Sequence, residues 1–273
     1  VAARRFGLEL SSDRVEAWVR GDGLVLEEPA LAARQPSGGR LLGYGAQALV
    51  AAKAGGVELV APFGMAELLD EEAAAQMLRH LINKLVGRLV FVRHELVLAV
   101  SAELSTAARR SLLEVALASG ARMAHLLDLP LAMAFGVGLP VTSWEPLPVL
   151  FVLPGGAQAA IVCHHGLLAH RALLPQPSGD GWPGAPAELD RLAALVLELL
   201  AATPGQGHER VRQVGFAVAG RGVDLHLVGS ELTRRTGLPM RVVADPQHCV
   251  VKGAEVALER IEAAGARTLL YLN

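Results

Sequence analysis

Cysteine is nearly absent: Cys163 and Cys249 are the only two in 273 residues. They match no metal-ligand spacing, and a chain this long with one widely separated pair is no disulfide scaffold, so a reducing, cytoplasmic setting is expected. A dominant charge is lacking too. Lys and Arg total 25 against 27 Asp and Glu, a formal charge of -2, which removes the broad field that recruits nucleic acid or acidic lipid, and nucleic acid is not expected as a partner. No apolar run reaches the ~18 residues of a spanning helix. "VAARRFGLEL" also lacks a signal-peptide core followed by a small-residue cleavage site. These absences predict a soluble or peripheral protein. What remains, 52% hydrophobic and 19% charged residues, suffices for one large core or two coupled ones, and a two-lobed globular protein is the default.

The periodicity switches repeatedly between that of strand and that of helix. "RFGLELSSDRVEAWVRGDGLVLEEP" alternates apolar and polar residues around Gly21 and Gly23 and reads as an N-terminal meander. "MAELLDEEAAAQMLRHLINKLVG" places Leu68, Leu69, Ala73, Met77, Leu81 and Leu85 at helical spacing, with Gly87 as the stop, so the spacing predicts a helix over 66–86. "ELVLAVS" is a buried strand, followed by a helix with Ser105 as N-cap and Gly120 as terminator. Pro130 starts a short helix of small residues, and the Pro-rich stretch from Pro140 to Pro148 marks the lobe boundary. The second half repeats the layout. "LPVLFVLPGGAQAAIVCHHGLLAHRALL" is a strand series with glycine turns, and "AELDRLAALVLELLAAT" is an amphipathic helix. "VRQVGFAVAGRGVDLHLVGSELTRRTG" reads as strand, turn and helix, "PMRVVAD" as a strand, and a helix from Pro246 leads to a final strand "RTLLYLN". Two halves that each open with a meander and continue into strand-helix units indicate internal duplication in an α/β architecture, with ligands expected at the strand ends.

At "GLVLEEP", the "RR" of the Ser105 helix, "GAR", "GVGLPV" and "DPQHCVVKG" the chain resembles the MreB branch of the actin superfamily, over most of its length. The resemblance implies an actin-like, ribonuclease H-like duplicated two-lobed α/β fold. It also implies ATP with Mg between the lobes, filaments at the inner face of the cell membrane, and protein partners in a cell-shape or cell-wall complex. The expected division is 1–143 for the first lobe, with a small outer subdomain at about 27–90, then 144–245 for the second lobe, and a return of 246–273 to the first. Only about forty residues separate the second meander from "GFAVAG", so the outer subdomain of the second lobe is expected to be missing.

Position by position, the nucleotide motifs depart from the family's pattern. The family's first phosphate turn, Asp-Leu-Gly-Thr, becomes Glu9, Leu10, Ser11, Ser12. A side chain then stands where glycine lets the backbone approach a phosphate, and Asp13 adds a negative charge. The second turn, Asp-Ile-Gly-Gly-Gly-Thr, falls on "FVLPGGA": Phe151 or Val152 replaces the metal-orienting Asp, and Pro154 removes a backbone donor, while Gly155 and Gly156 remain. The glutamate before the two arginines, which polarises the attacking water in the family, maps to Ala108, ahead of Arg109 and Arg110. The adenosine-side turn keeps Gly220 and Gly222, with Arg221 between them. Glu9, Ser11, Ser12, Gly155, Gly156, Gly220 and Gly222 thus outline a vestigial nucleotide site with no catalytic residue and no metal ligand. The reading is a scaffold without a required cofactor and without ATP hydrolysis. Its alternative is a nucleotide-binding switch or ATPase with unusual loops.

Other residues weigh less. Leu89, Val90, Phe91 and Val92, flanked by Arg88 and Arg93, occupy the place of a membrane-inserting loop in some family members, but better suit an ordinary buried strand with charged ends. Adjacent His164 and His165 on a strand point to opposite faces, and with His170 make no metal site. Ser101 or Ser105 with His94 or His125 could evoke a nucleophile and base, but no Gly-x-Ser-x-Gly elbow supports a hydrolase.

Overall fold

The computed structural model describes residues 4–87, 94–154, 156–164, 166–174, 185–203 and 205–263. The chain divides into two compact units that part between Leu127 and Asp128, and the second gives way at Gly253 to a segment from Ala254 that rejoins the first.

In the first unit, β1 (Arg4–Leu10) is flanked by β2 (Arg14–Val19), which pairs with β3 (Gly23–Pro29), and on its other side by β7 (His94–Val100). Between β3 and β7 come β4 (Ala32–Arg34), β5 (Leu41–Tyr44), α1 (Ala46–Ala54), β6 (Glu58–Val60) and α2 (Glu71–Val86). After β7 follow α3 (Thr106–Ala118) and β8 (Ala121–Asp128), giving a sheet of order β3-β2-β1-β7-β8 beside a small sheet β5-β4-β6. Strand alternation sends Phe6, Leu8 and Leu10 of β1 and Leu96, Leu98 and Val100 of β7 into one cluster with Met77, Leu78, Leu81 and Ile82 of α2 and Leu112 of α3. Burying each such side chain is worth about 1.5–3 kcal/mol, which is why the amphipathic stripe of α2 is held on this face.

The second unit repeats the plan. It contains α4 (Leu129–Gly136), β9 (Leu147–Leu153), β10 (Gly156–Cys163), β11 (Gly166–Leu173), α5 (Pro186–Ala201), α6 (Gln206–Val214), β12 (Phe216–Gly220), α7 (Leu225–Thr236), β13 (Met240–Val242) and the start of α8 (Cys249–Ala263). Its sheet order is β11-β10-β9-β12-β13, an antiparallel meander followed by parallel strands, as in the first unit. Leu150, Val152, Phe216 and Val218 face Leu192, Val196 and Leu199 of α5 and Val228 and Leu232 of α7. The duplication read from the sequence is therefore present. Among the described residues, α5 and α6 are the elements between β11 and β12, where the first unit inserts its small sheet.

Three sequence readings shift. The division falls before α4 and not in the Pro140–Pro148 stretch, because α4 packs on β9 and β10. The helix expected over 66–86 begins only at Glu71: Asp70 caps it by accepting from Ala73 N–H at 2.9 Å, while Leu68 bridges to Phe63 and Leu69 is exposed. Val211–Val214, read as strand, is the end of α6; Gly215 at φ 71 breaks it, and a side chain there would collide with Pro239. The expected final strand at 267–273 lies outside the described residues.

Asp70 also receives a hydrogen bond from Arg34, tying the small sheet to α2. This bond, ahead of the opposing cost of burial, holds the Asp70 carboxyl below its usual pKa. The stabilisation is thus present above the carboxyl's unfolded pKa and is lost as pH falls through the folded value. Asn can still cap, so Asp70→Asn isolates the charge: in urea melts it should cost about 0.5–1 kcal/mol at neutral pH, a figure discounted for the solvent around the pair, and progressively less as the pH is lowered below the usual carboxylate range.

Candidate functional site

The turn after β1 is closed by Ser11 N–H donating to the Arg14 carbonyl at 3.1 Å. Because Leu8 and Leu10 take the core face, Glu9 points to the opposite one, fully buried, and stands directly across from Glu16 on β2. The buried Ser11 hydroxyl donates to Glu9 Oε1 at 2.6 Å. Arg14 balances the neighbouring carboxylates, at 3.0 Å from Glu16 and 2.8 Å from Glu27. Ser12 is half-buried at the tip. Ser11 therefore turns inward to the chain's own carboxylate, Glu9.

In the second unit the structure brings two of the sequence-predicted pieces together. Leu153 and Gly156 face each other across the β9–β10 turn, which contains Pro154; Gly155 lies outside the described residues. Beside this turn, Arg221 N–H donates to the Val152 carbonyl at 3.0 Å and Gly220 N–H to the Pro246 carbonyl at 2.9 Å. A side chain on Gly220 would fall on the Val152 carbonyl, and one on Gly222, at φ 72, would meet Pro154. Both glycines are thus required by close approach to the chain's own backbone and proline, whatever else binds there. Phe151 is fully buried, and the buried Arg221 guanidinium lies over its ring, 5.5 Å from the centroid. Sequence reasoning placed Arg221 between the glycines without giving it a role; the unused signal was a cation in a turn adjoining an apolar strand that carries an aromatic ring.

The remaining residues have structural duties. Ala108 is buried in the first core, and its N–H donates to the Ser105 hydroxyl that caps α3. Arg109 donates to the carbonyls of Leu104, Ser101 and Ala102, clamping the loop before α3. The Ser101 hydroxyl accepts from Glu103 N–H, while His94 is buried edge-on to Phe6. His125 is half-buried, and burial pushes its pKa down against the pull of Glu95. His164 stacks on Trp144 with centroids 4.6 Å apart. Among the described residues no three His, Cys, Asp or Glu side chains converge as a metal site needs, and no helix is long and apolar enough to cross a membrane. Leu89, Val90, Phe91 and Val92 lie outside the described residues.

Two sheets of one strand order, each opening with a meander, define a protein with the actin-like fold, as the sequence resemblance implied. Solved structures share it: MreB5 of Spiroplasma citri bound to ADP superposes with a TM-score of 0.82 at 18% identity, over 97% of this chain and 99% of that one. A MamK double helical filament gives 0.71 at 14% identity, over 94% and 99%. A family model described as MreB/Mbl protein matches residues 3–174, more than half of the chain, and the chain belongs to this family. The cell shape-determining protein Mbl of Bacillus cereus is 22% identical over 332 residues, covering 98% of this chain and 99% of that protein. The cell shape-determining protein MreB of Escherichia coli is 22% identical over 327 residues, covering 94% of each.

If the Arg221–Phe151 stack holds the second turn, Arg221→Ala should lower stability by about 1–2 kcal/mol in urea unfolding, with Arg221→Met recovering part of the loss through its apolar stem. An unchanged midpoint in Arg221→Ala would show the stack to be idle.

Proposed function

We propose that this chain is a cytoskeletal scaffold in a cell-shape or cell-wall complex, acting in the cytoplasm at the inner face of the membrane through protein contacts and self-association, without hydrolysing ATP. The observation that carries this reading is the Arg221 guanidinium over Phe151. By the family resemblance the carboxylate that orders water on magnesium falls on Phe151 or Val152, both fully buried and apolar, and the buried Arg221 guanidinium lies over the Phe151 ring. A bound magnesium nucleotide would supply a metal-ordered phosphate for attack by water. The chain's own residues fit it poorly: Pro154 offers no N–H in the second turn, Ala108 is no base, and Ser11 is committed to Glu9. The names of the relatives support the cell-shape assignment, and the MamK filament supports self-association.

The alignment with the Bacillus cereus protein spans 332 residues, more than this chain's 273, so that relative has segments without a counterpart here. With α5 and α6 alone between β11 and β12 among the described residues, this supports a second lobe that lacks its outer subdomain.

A second reading, a nucleotide-responsive switch, is favoured by solved MreB5 structures with ADP and with AMPPNP. Calorimetry with ATP and Mg followed by phosphate release separates the two. The scaffold should release phosphate at the buffer rate and sediment equally with and without nucleotide, whereas binding near micromolar accompanied by turnover would overturn it. For the membrane contact, flotation with anionic liposomes should be lost in Phe91→Asp; equal flotation of both proteins would dismiss the apolar stretch as an anchor.

A further inference from the structure

A cavity of about 440 Å³ opens in the second unit, within the ~300–1,000 Å³ span of small-molecule sites. It lies on the sheet face opposite the α5–α7 core, since Ala217 lines it while its neighbours Phe216 and Val218 pack into that core. Val137 and Leu139, just past α4, and Leu147 of β9 supply further apolar wall.

The charged groups at the wall are unequal. Arg241 and Lys252 both line the cavity, against a single carboxylate, Asp245. Arg241 is held in place by donating to the Val214 carbonyl. Lys252 is half-buried in the first turn of α8, which holds no acid, and its ammonium has no ion pair among the described residues. An apolar chamber with one surplus cation at its wall matches a ligand with an apolar body and a single negative head. We propose that this cavity binds a small amphipathic monocarboxylate, its hydrocarbon body against Val137, Leu147 and Ala217 and its carboxylate on Lys252. The site is independent of the nucleotide question, because none of its wall residues belongs to the turns at 9–12, 154–156 or 220–222.

Titrating sodium octanoate into the full chain by calorimetry tests this, with octanamide as the uncharged counterpart. Saturable one-to-one binding is expected, about tenfold weaker for octanamide and for Lys252→Ala, and abolished by Ala217→Phe, which fills the chamber. Should Ala217→Phe fail to fold, the half-buried Lys252→Ala decides. Absence of saturable heat at millimolar octanoate, equal affinity for octanamide, or binding unaffected by Lys252→Ala would overturn the proposal.

Discussion

Where α4 crosses the first turns of α8, the two helices touch backbone to backbone. A side chain on Gly136 would fall on the Cys249 carbonyl, and one on Gly253 on the Ala132 carbonyl. Packed helices ordinarily keep their axes about 8–10 Å apart because side chains intervene; here glycine removes them from both partners. The contact fixes the first turns of α8 against a helix that itself packs on β9 and β10. The chain passes from one unit to the other just before α4, at Leu127–Asp128, and again immediately after Gly253. One paired absence of side chains thus adjoins both connections. It also sets the walls of the cavity that Gly136, Cys249 and Lys252 line.

The buried polar groups follow a second logic. A charge taken out of water must be paired or hydrogen-bonded, or its burial costs several kcal/mol. At both turns that would face a nucleotide in the family, this chain supplies partners from within. Ser11 serves Glu9, Arg14 serves Glu16, and Arg221 lies on Phe151. On the proposed reading these turns were kept as connections between strands after their ligand chemistry was lost. Gly220 and Gly222 illustrate the difference: the family uses glycine to admit a nucleotide, and here each is needed to admit the Val152 carbonyl or Pro154.

Much of the fold was legible because it is written in local period. Alternation marked β1 and β2, the helical stripe marked α2 and α5, and the repeated meander marked the duplication. The errors arose where a local pattern continued past a structural stop. Leu68 and Leu69 extend the stripe of α2, yet Asp70 caps the helix behind them, since an aspartate that satisfies a free N–H outweighs one more turn of apolar spacing. Val211–Val214 looks like the start of β12, yet Gly215 at positive φ separates them.

The sequence by itself determined much of the strand and helix order and the family, and it carries the residue types at 9–12, 108 and 151–157 on which the proposal of a degenerate nucleotide site rests, because identity and spacing are properties of short stretches. Only the tertiary structure decided that Arg221 is buried on Phe151, that Ser11 turns to Glu9, that α4 belongs with β9 and β10, and that Lys252 stands at an apolar chamber. Burial and close approach sum over segments tens to a hundred residues apart, and no local period encodes which of them will meet.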